Sequence, residues 1–226
     1  MKTIIEQVEA WPFLDTLPPE CAGFALDREL AESGTQYLMF SYRKPQDHRS
    51  FAVLYDHATK DFMGRITVGL TEYFDVTFIS TDLAGLEKIL AERLPRTLDR
   101  LAGDEGYESI FRAKKILEWD YGRQLPRELA GFTLFISPER PIPTINGSYI
   151  ILDYSDFSEE SNLILYYNVY RDEFFGEIRF RRTPEMAGQF DAKDLPELAG
   201  KVSDNLQGTL EALRGRLNEA GRGEDR

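Results

Sequence analysis

The chain has 226 residues, with 27 Lys and Arg against 39 Asp and Glu, for a net charge of −12. An apolar content of 42% is enough to build a core, while no stretch approaches the ~20 apolar residues of a membrane helix. The acidic balance argues against a nucleic-acid backbone or an anionic membrane as partner, and one cysteine excludes an internal disulfide and any thiolate metal cage.

The chain begins Met1-Lys2-Thr3-Ile4-Ile5-Glu6, with an acid where a signal peptide needs an apolar run, so a cytoplasmic protein is expected. Ile5 and Val8 mark a short first helix. Leu17-Pro18 ends it, because proline lacks the N–H and disfavours helix just before it. Ala22-Gly23-Phe24 then opens a strand. Further strands follow around Tyr37-Leu38-Met39-Phe40, at 51–55 and at 62–68, where Phe62, Ile66 and Val68 alternate with Met63, Arg65 and Thr67. Leu83, Leu86, Leu90, Leu94, Leu98 and Leu101 repeat at three and four, as in a closing helix. Thr81 and Asp82 stand at its start. Pro95 predicts a kink or break near Arg93.

The same elements then recur. Trp11 to Leu26 and Trp119 to Leu134, 108 positions apart, share eight of sixteen residues, both tryptophans among them. After a four-residue insertion the register continues at 112. Tyr37 and Tyr42 then match Tyr149 and Tyr154, Gly64 matches Gly176, and Leu86 to Leu101 match Leu198 to Leu213. Ile110, Ala113 and Ile116/Leu117 predict one opening helix for the second copy. From Arg214 onward the sequence is polar and reads as a frayed tail. The expected fold is α+β, a tandem duplication of an α-β-β-β-β-β-α unit with antiparallel sheets, helices on one face and a pseudo-twofold. The expected boundaries are 1–103, 104–214 and a tail at 215–226, with the joint at Asp104-Glu105-Gly106. Up to Gly103 there are 11 basic and 16 acidic residues, and 16 and 23 after it, so both copies are acidic.

Chemistry is sparse. His48 and His57 face Glu160 and Val169 in the second copy and have no evident partner for acid–base work. Cys21 faces Leu129, which favours a small apolar role. No phosphate loop, dinucleotide fingerprint or two-histidine metal spacing occurs. Asn146-Gly147-Ser148 reads as a turn. Asp153, Asp156, Glu159 and Glu160 read as a solvated acidic hairpin rather than a calcium loop, opposite the basic 43–49 loop of the first copy. Equivalent hairpins of opposite charge predict pairing within a chain or between chains. No catalytic residue, metal or cofactor is expected.

The main functional pointer is apolar sequence on both faces of strands, above all Leu163 to Tyr170. One face meets the helices; the other needs cover from the sister copy, another subunit or a ligand. Candidate binding residues are Tyr37, Tyr149, Tyr166 and Tyr170. Trp11/Trp119, Gly23/Gly131 and Gly64/Gly176 are expected to define the fold. In architecture alone, a tandem strand-rich unit resembles the TATA-binding-protein type of fold, and an acidic mixed α/β chain is similar to bacterial secretion chaperones. No motif carries either likeness, and the first family's DNA-binding role conflicts with this charge. The expected function is a non-catalytic binding or chaperone-like protein that engages a protein partner, or itself as a homodimer, through an aromatic sheet face. The alternatives are a small-molecule binder or enzyme with a pocket between the copies, and an acidic immunity-type inhibitor of a basic toxin.

Overall fold

A computed structural model describes residues 2–28, 30–103 and 108–224. The chain divides into two compact units, Met1–Asp104 and Glu105–Arg226. The joint at 104–106 lies outside the described residues.

Unit 1 opens with α1 (Lys2–Glu9), whose Val8 is fully buried. A 3-10 turn at Pro12–Thr16 leads to β1 (Glu20–Cys21), β2 (Phe24–Asp27), β3 (Ala31–Ser33), β4 (Gln36–Lys44), β5 (Arg49–Asp56), β6 (Asp61–Val68) and β7 (Thr71–Ser80), and α2 (Leu83–Ala102) closes it. Unit 2 repeats the order. It opens with α3 (Glu108–Ala113) and α4 (Asp120–Arg123). Then come β8 (Glu128–Leu129), β9 (Phe132–Ile136), β10 (Ile142–Pro143), β11 (Ser148–Asp156), β12 (Ser161–Asn168), β13 (Glu173–Phe180) and β14 (Thr183–Met186), closed by α5 (Leu195–Glu224).

Each unit holds a seven-stranded antiparallel sheet of the same topology. One runs β1-β2-β4-β5-β6-β7 with β3 beside β4, and the other β8-β9-β11-β12-β13-β14 with β10 beside β11. The duplication extends to backbone irregularities. A β-bulge falls between Leu38 and Phe40 and again between Ile150 and Leu152, at the offset of 112. The turn joining the first two strands has positive φ at both central residues, 51° and 77° at Ala22-Gly23 and 51° and 81° at Ala130-Gly131. Two such residues make the tight hairpin turn whose twist matches paired strands, and glycine at the second lowers its strain. Tyr42 Oη donates to the Pro18 carbonyl at 2.7 Å, and Tyr154 Oη to the Pro126 carbonyl at 2.6 Å. Each bond satisfies a buried hydroxyl and ties the Leu-Pro segment to the central strand.

The closing helices cover one sheet face. Leu86, Leu90, Leu94, Leu98 and Leu101 are buried along α2, and Leu198, Val202, Leu206, Leu210, Leu213 and Leu217 along α5. Asp82 caps α2 by accepting the Gly85 N–H at 2.7 Å, and Asp194 caps α5 by accepting that of Glu197 at 2.9 Å.

Three local expectations need correction. Helix α2 runs unbroken through Pro95. Ala91, whose carbonyl loses its helical donor there, is exposed to solvent, while buried leucines on either side hold the helix to the sheet. The opening segment of unit 2 is not one helix. Lys115 turns left-handed at φ 57°, so α3 stops, and a 3-10 turn at Ile116–Glu118 precedes α4. Phe111 rather than Ala113 anchors it, fully buried and 4.9 Å edge-on from Tyr149. The C-terminal segment is helical to Glu224 and not frayed from Arg214. Arg214 donates to the carbonyls of Ala130 and Gly131 and to Asp156 Oδ2, and its guanidinium lies 4.6 Å from the Phe132 ring centroid. Its charge, which made the segment look solvated, is used to pin α5 over the β8–β9 turn.

Candidate functional site

The four candidate tyrosines do not form one open surface. Tyr149 lies on the helix-facing side, in register with Tyr167 and against Phe111. Tyr37 is its counterpart, 3% exposed, with a buried hydroxyl that burial pushes up in pKa. Tyr166 is on the opposite face, 6% exposed and stacked on Phe175 at 4.9 Å. Tyr170 alone is a surface residue, 81% exposed in the β12–β13 turn. Every residue of β12 is buried, so its two-sided apolar sequence does not mark an open face.

Other candidates resolve by local chemistry. His48 and His57 are exposed, in a left-handed turn and just after β5. Burial raises the Cys21 thiol pKa and Asp99 adds to the shift, which is the opposite of an activated nucleophile. The acidic group is not a solvated hairpin. Asp153 is fully buried within β11, and Asp156 bonds Ser158 and Arg214. Burial opposes the Asp156 charge, but these bonds and the Glu159 N–H hold its carboxyl below the usual range. The charged hairpins also find partners inside their own units. Arg43 pairs with Asp27 at 3.2 Å and Lys44 with Asp47 at 2.7 Å, while Glu160 pairs with Arg182 at 2.5 Å. Among the described residues no group of three or more His, Cys, Asp or Glu is arranged to hold a metal.

The arrangement that stands out lies at the opening of unit 2. In unit 1, Trp11 Nε1 donates to Glu87 Oε2 of α2 at 3.0 Å, and Phe13 stacks on the indole at 5.0 Å and 29°. The equivalent tryptophan, Trp119, is 5% exposed and crowded by Gly122, where a Cβ would come within 2.7 Å of its ring. The residue matching Glu87 is Ala199. Among the described residues Trp119 Nε1 therefore has no hydrogen-bond partner, though it is buried. Tyr121, matching Phe13, has moved out to 6.2 Å and 42° and is 39% exposed.

An open hollow of about 560 Å³ occupies this place. Trp119, Tyr121, Leu195, Pro196 and Ala199 line it, together with Lys114, Lys115, Glu118, Asp120 and Asp194. Its volume falls in the range of ordinary ligand clefts. Lys114 is committed to Asp172 at 2.5 Å, and the hydrogen bonds that Asp172 accepts from Lys114 and Tyr167 hold its carboxyl below the usual range. That leaves Lys115 against Glu118, Asp120 and Asp194, so the rim is net acidic. An apolar floor and an acidic rim can hold a group with apolar bulk and a positive charge.

The sequence pointed to Trp119 as a packing anchor but not as part of a site. Ala199 standing opposite Glu87 was visible in the repeat register. That position 87 reaches position 11 is a property of the helix-on-sheet packing. Comparison of the chain with protein-family models, with curated proteins and with solved structures finds no match.

Proposed function

We propose that this is a non-catalytic cytoplasmic binding protein that holds a polypeptide partner of basic, apolar character, with the hollow at Trp119 as its docking place. The observation that carries the reading is the open apolar hollow with an acidic rim at Trp119, whose residue 199 is alanine where the sister unit has Glu87 bonded to its tryptophan. The net charge of −12 favours encounter with a basic partner.

Capture from lysate by the immobilised full chain tests this when it is compared between variants. Ala199→Glu places a carboxylate where Glu87 stands in unit 1 and fills the hollow. A discrete protein retained by the native chain is expected to be lost with Ala199→Glu and kept with Tyr170→Ala. Retention of the same proteins by all three would overturn the proposal.

A further inference from the structure

Each sheet ends in one very short strand and one longer one. β1 and β8 have 2 residues each, β14 has 4 and β7 has 10. An edge strand offers a row of backbone donors and acceptors to any strand that comes beside it, so a long one invites pairing with another chain. In the second sheet Pro184 blunts the longer edge, because it stands opposite Arg179 with no N–H to offer. The residue at its place in the first sheet is Glu72, and β7 carries no proline, lysine or arginine. Its other residues are mostly β-branched or aromatic, Val76 is 75% exposed, and among the described residues no strand pairs with its outer side.

The strand is interrupted instead. Phe62 pairs with Ser80 and Gly64 with Asp75, so Met63 alone stands opposite the run from Val76 to Ile79. Within that excursion Phe78 turns into the core, 4.8 Å from the Phe51 ring, while Val76 turns out to solvent. Asp75 Oδ1 holds the excursion by accepting the Thr77 N–H at 2.9 Å and the Thr77 hydroxyl at 2.7 Å, so this backbone donor is already taken. The second unit interrupts its edge at the same place. Ala187 N–H donates to the Gly176 carbonyl at 2.9 Å, Phe174 bridges to Ala192, and the 3-10 turn Gly188–Phe190 lies between. These are the pairs of unit 1 at the offset of 112. One unit closes the break with a turn and a proline, the other with a bulge and two acids.

We propose that the excursion in β7, with Glu72 and Asp75, keeps this edge from pairing with the β7 edge of a second copy of the chain. A second copy is the fitting occupant because an edge matches itself about a two-fold axis, antiparallel like the neighbouring pairs of the sheet. Glu72 and Asp75 are the only charges on the strand, so such pairing brings like charges together, and the bulge twists the row of donors out of line. This edge role is independent of the hollow at Trp119.

Sedimentation velocity of the full chain over a range of concentrations tests it. Glu72→Thr with Asp75→Thr removes both charges and the Thr77 contacts at an exposed and a half-buried position, so a retained melting transition is expected. Self-association is expected to tighten at least about tenfold over the native chain, as facing like charges are lost, with slower amide exchange at 71–80. Glu92→Gln with Glu219→Gln, the same charge loss at exposed helix positions, is expected to leave sedimentation native. Adding Val76→Lys to the threonine variant returns a charge to the edge and is expected to restore native sedimentation. Glu72→Gln with Asp75→Asn keeps the side-chain shapes, is expected to act in the same direction by less, and decides the matter if the threonine variant does not fold. Native sedimentation of the folded edge variant, equal association by the helix control, association undiminished by Val76→Lys, or unchanged amide exchange at 71–80 would each overturn the proposal.

Discussion

Replacing Asp153 by asparagine is expected to raise stability at pH 8 and to change it little at pH 4. Asp153 is 0% exposed on β11, accepts from Ser155 Oγ at 2.7 Å and lies 3.2 Å from Asn162 Nδ2. Burial pushes its pKa up to about 7, against the opposing pull of those bonds and of Arg179. Arg179 spends much of its charge on Glu177 at 2.7 Å. The neighbouring Asn162 Oδ1 is buried without a partner. Turning that amide over would set its oxygen against a protonated Asp153, which is consistent with a neutral acid in the fold.

The sign follows from proton linkage. Below the ordinary carboxylate range both folded and unfolded chains hold this proton. As pH rises from there towards 7 the unfolded chain releases it and the fold retains it, so stability falls; above 7 both are ionised and the penalty is constant. At about 1.4 kcal/mol per unit the ceiling is near 4 kcal/mol, and a gain of about 2 kcal/mol for Asp153→Asn at pH 8 is expected after local relaxation. Urea midpoints at pH 4 and pH 8 measure it. Comparing the variant with the native chain cancels the carboxylates whose pKa is lowered, such as Asp156, which act in the opposite direction. An equal offset at both pH values would mean that Asp153 is not held as an acid.

A second large effect is expected at the paired sheet glycines. A Cβ on Gly64 would lie 2.7 Å from Phe78 Cβ and 2.9 Å from Phe51 Cζ. On Gly176 it would lie 2.9 Å from the Ala187 carbonyl and 3.0 Å from Phe190 Cβ. Phe78 and Phe190 are themselves repeat counterparts, so each unit has traded one side chain for the close approach of the same ring. Overfilling a packed core costs about 1–3 kcal/mol, and Gly64→Ala and Gly176→Ala are expected at the upper end. Gly200→Ala on α5, with nothing within 4 Å of the added carbon, is the control. It is expected to gain about 0.5–1 kcal/mol from helix propensity. Denaturant midpoints for the three variants decide the matter. A tolerated Gly64→Ala would show that the strand can move away from Phe78.

Much of this was legible in the amino-acid sequence because the duplication repeats side chains with fixed jobs. The Leu-Pro segment, the Ala-Gly turn, the bulged tyrosine strand and the leucine helices all recur in register. What escaped was too short or too tertiary for periodicity. The two- and three-residue strands β1, β3, β8 and β10 carry no alternation to read. Lys115 breaks a helix that its neighbours support, by adopting a left-handed turn. Arg214 looks solvent-facing in the sequence because its partners, the Ala130 and Gly131 carbonyls and Asp156, lie far back in the chain. Tyr149 and Tyr166 fall on opposite faces because the bulge between Ile150 and Leu152 sits within the strand and the sequence shows no sign of it. For the site, the repeat register held the decisive difference, Glu87 against Ala199. Only the packing of the closing helix over the opening tryptophan gave that difference a meaning.

The two units share one fold and differ at one tryptophan, bonded to a closing-helix carboxylate in the first and buried without such a bond in the second. The indole region of a ¹⁵N–¹H spectrum of the free protein measures it directly. Two indole signals are expected. That of Trp11 should lie downfield and move upfield with Glu87→Ala, while that of Trp119 should stay in place with Glu87→Ala and move downfield with Ala199→Glu. A Trp119 signal that ignores Ala199→Glu in a folded protein, or a Trp11 signal that ignores Glu87→Ala, would contradict it.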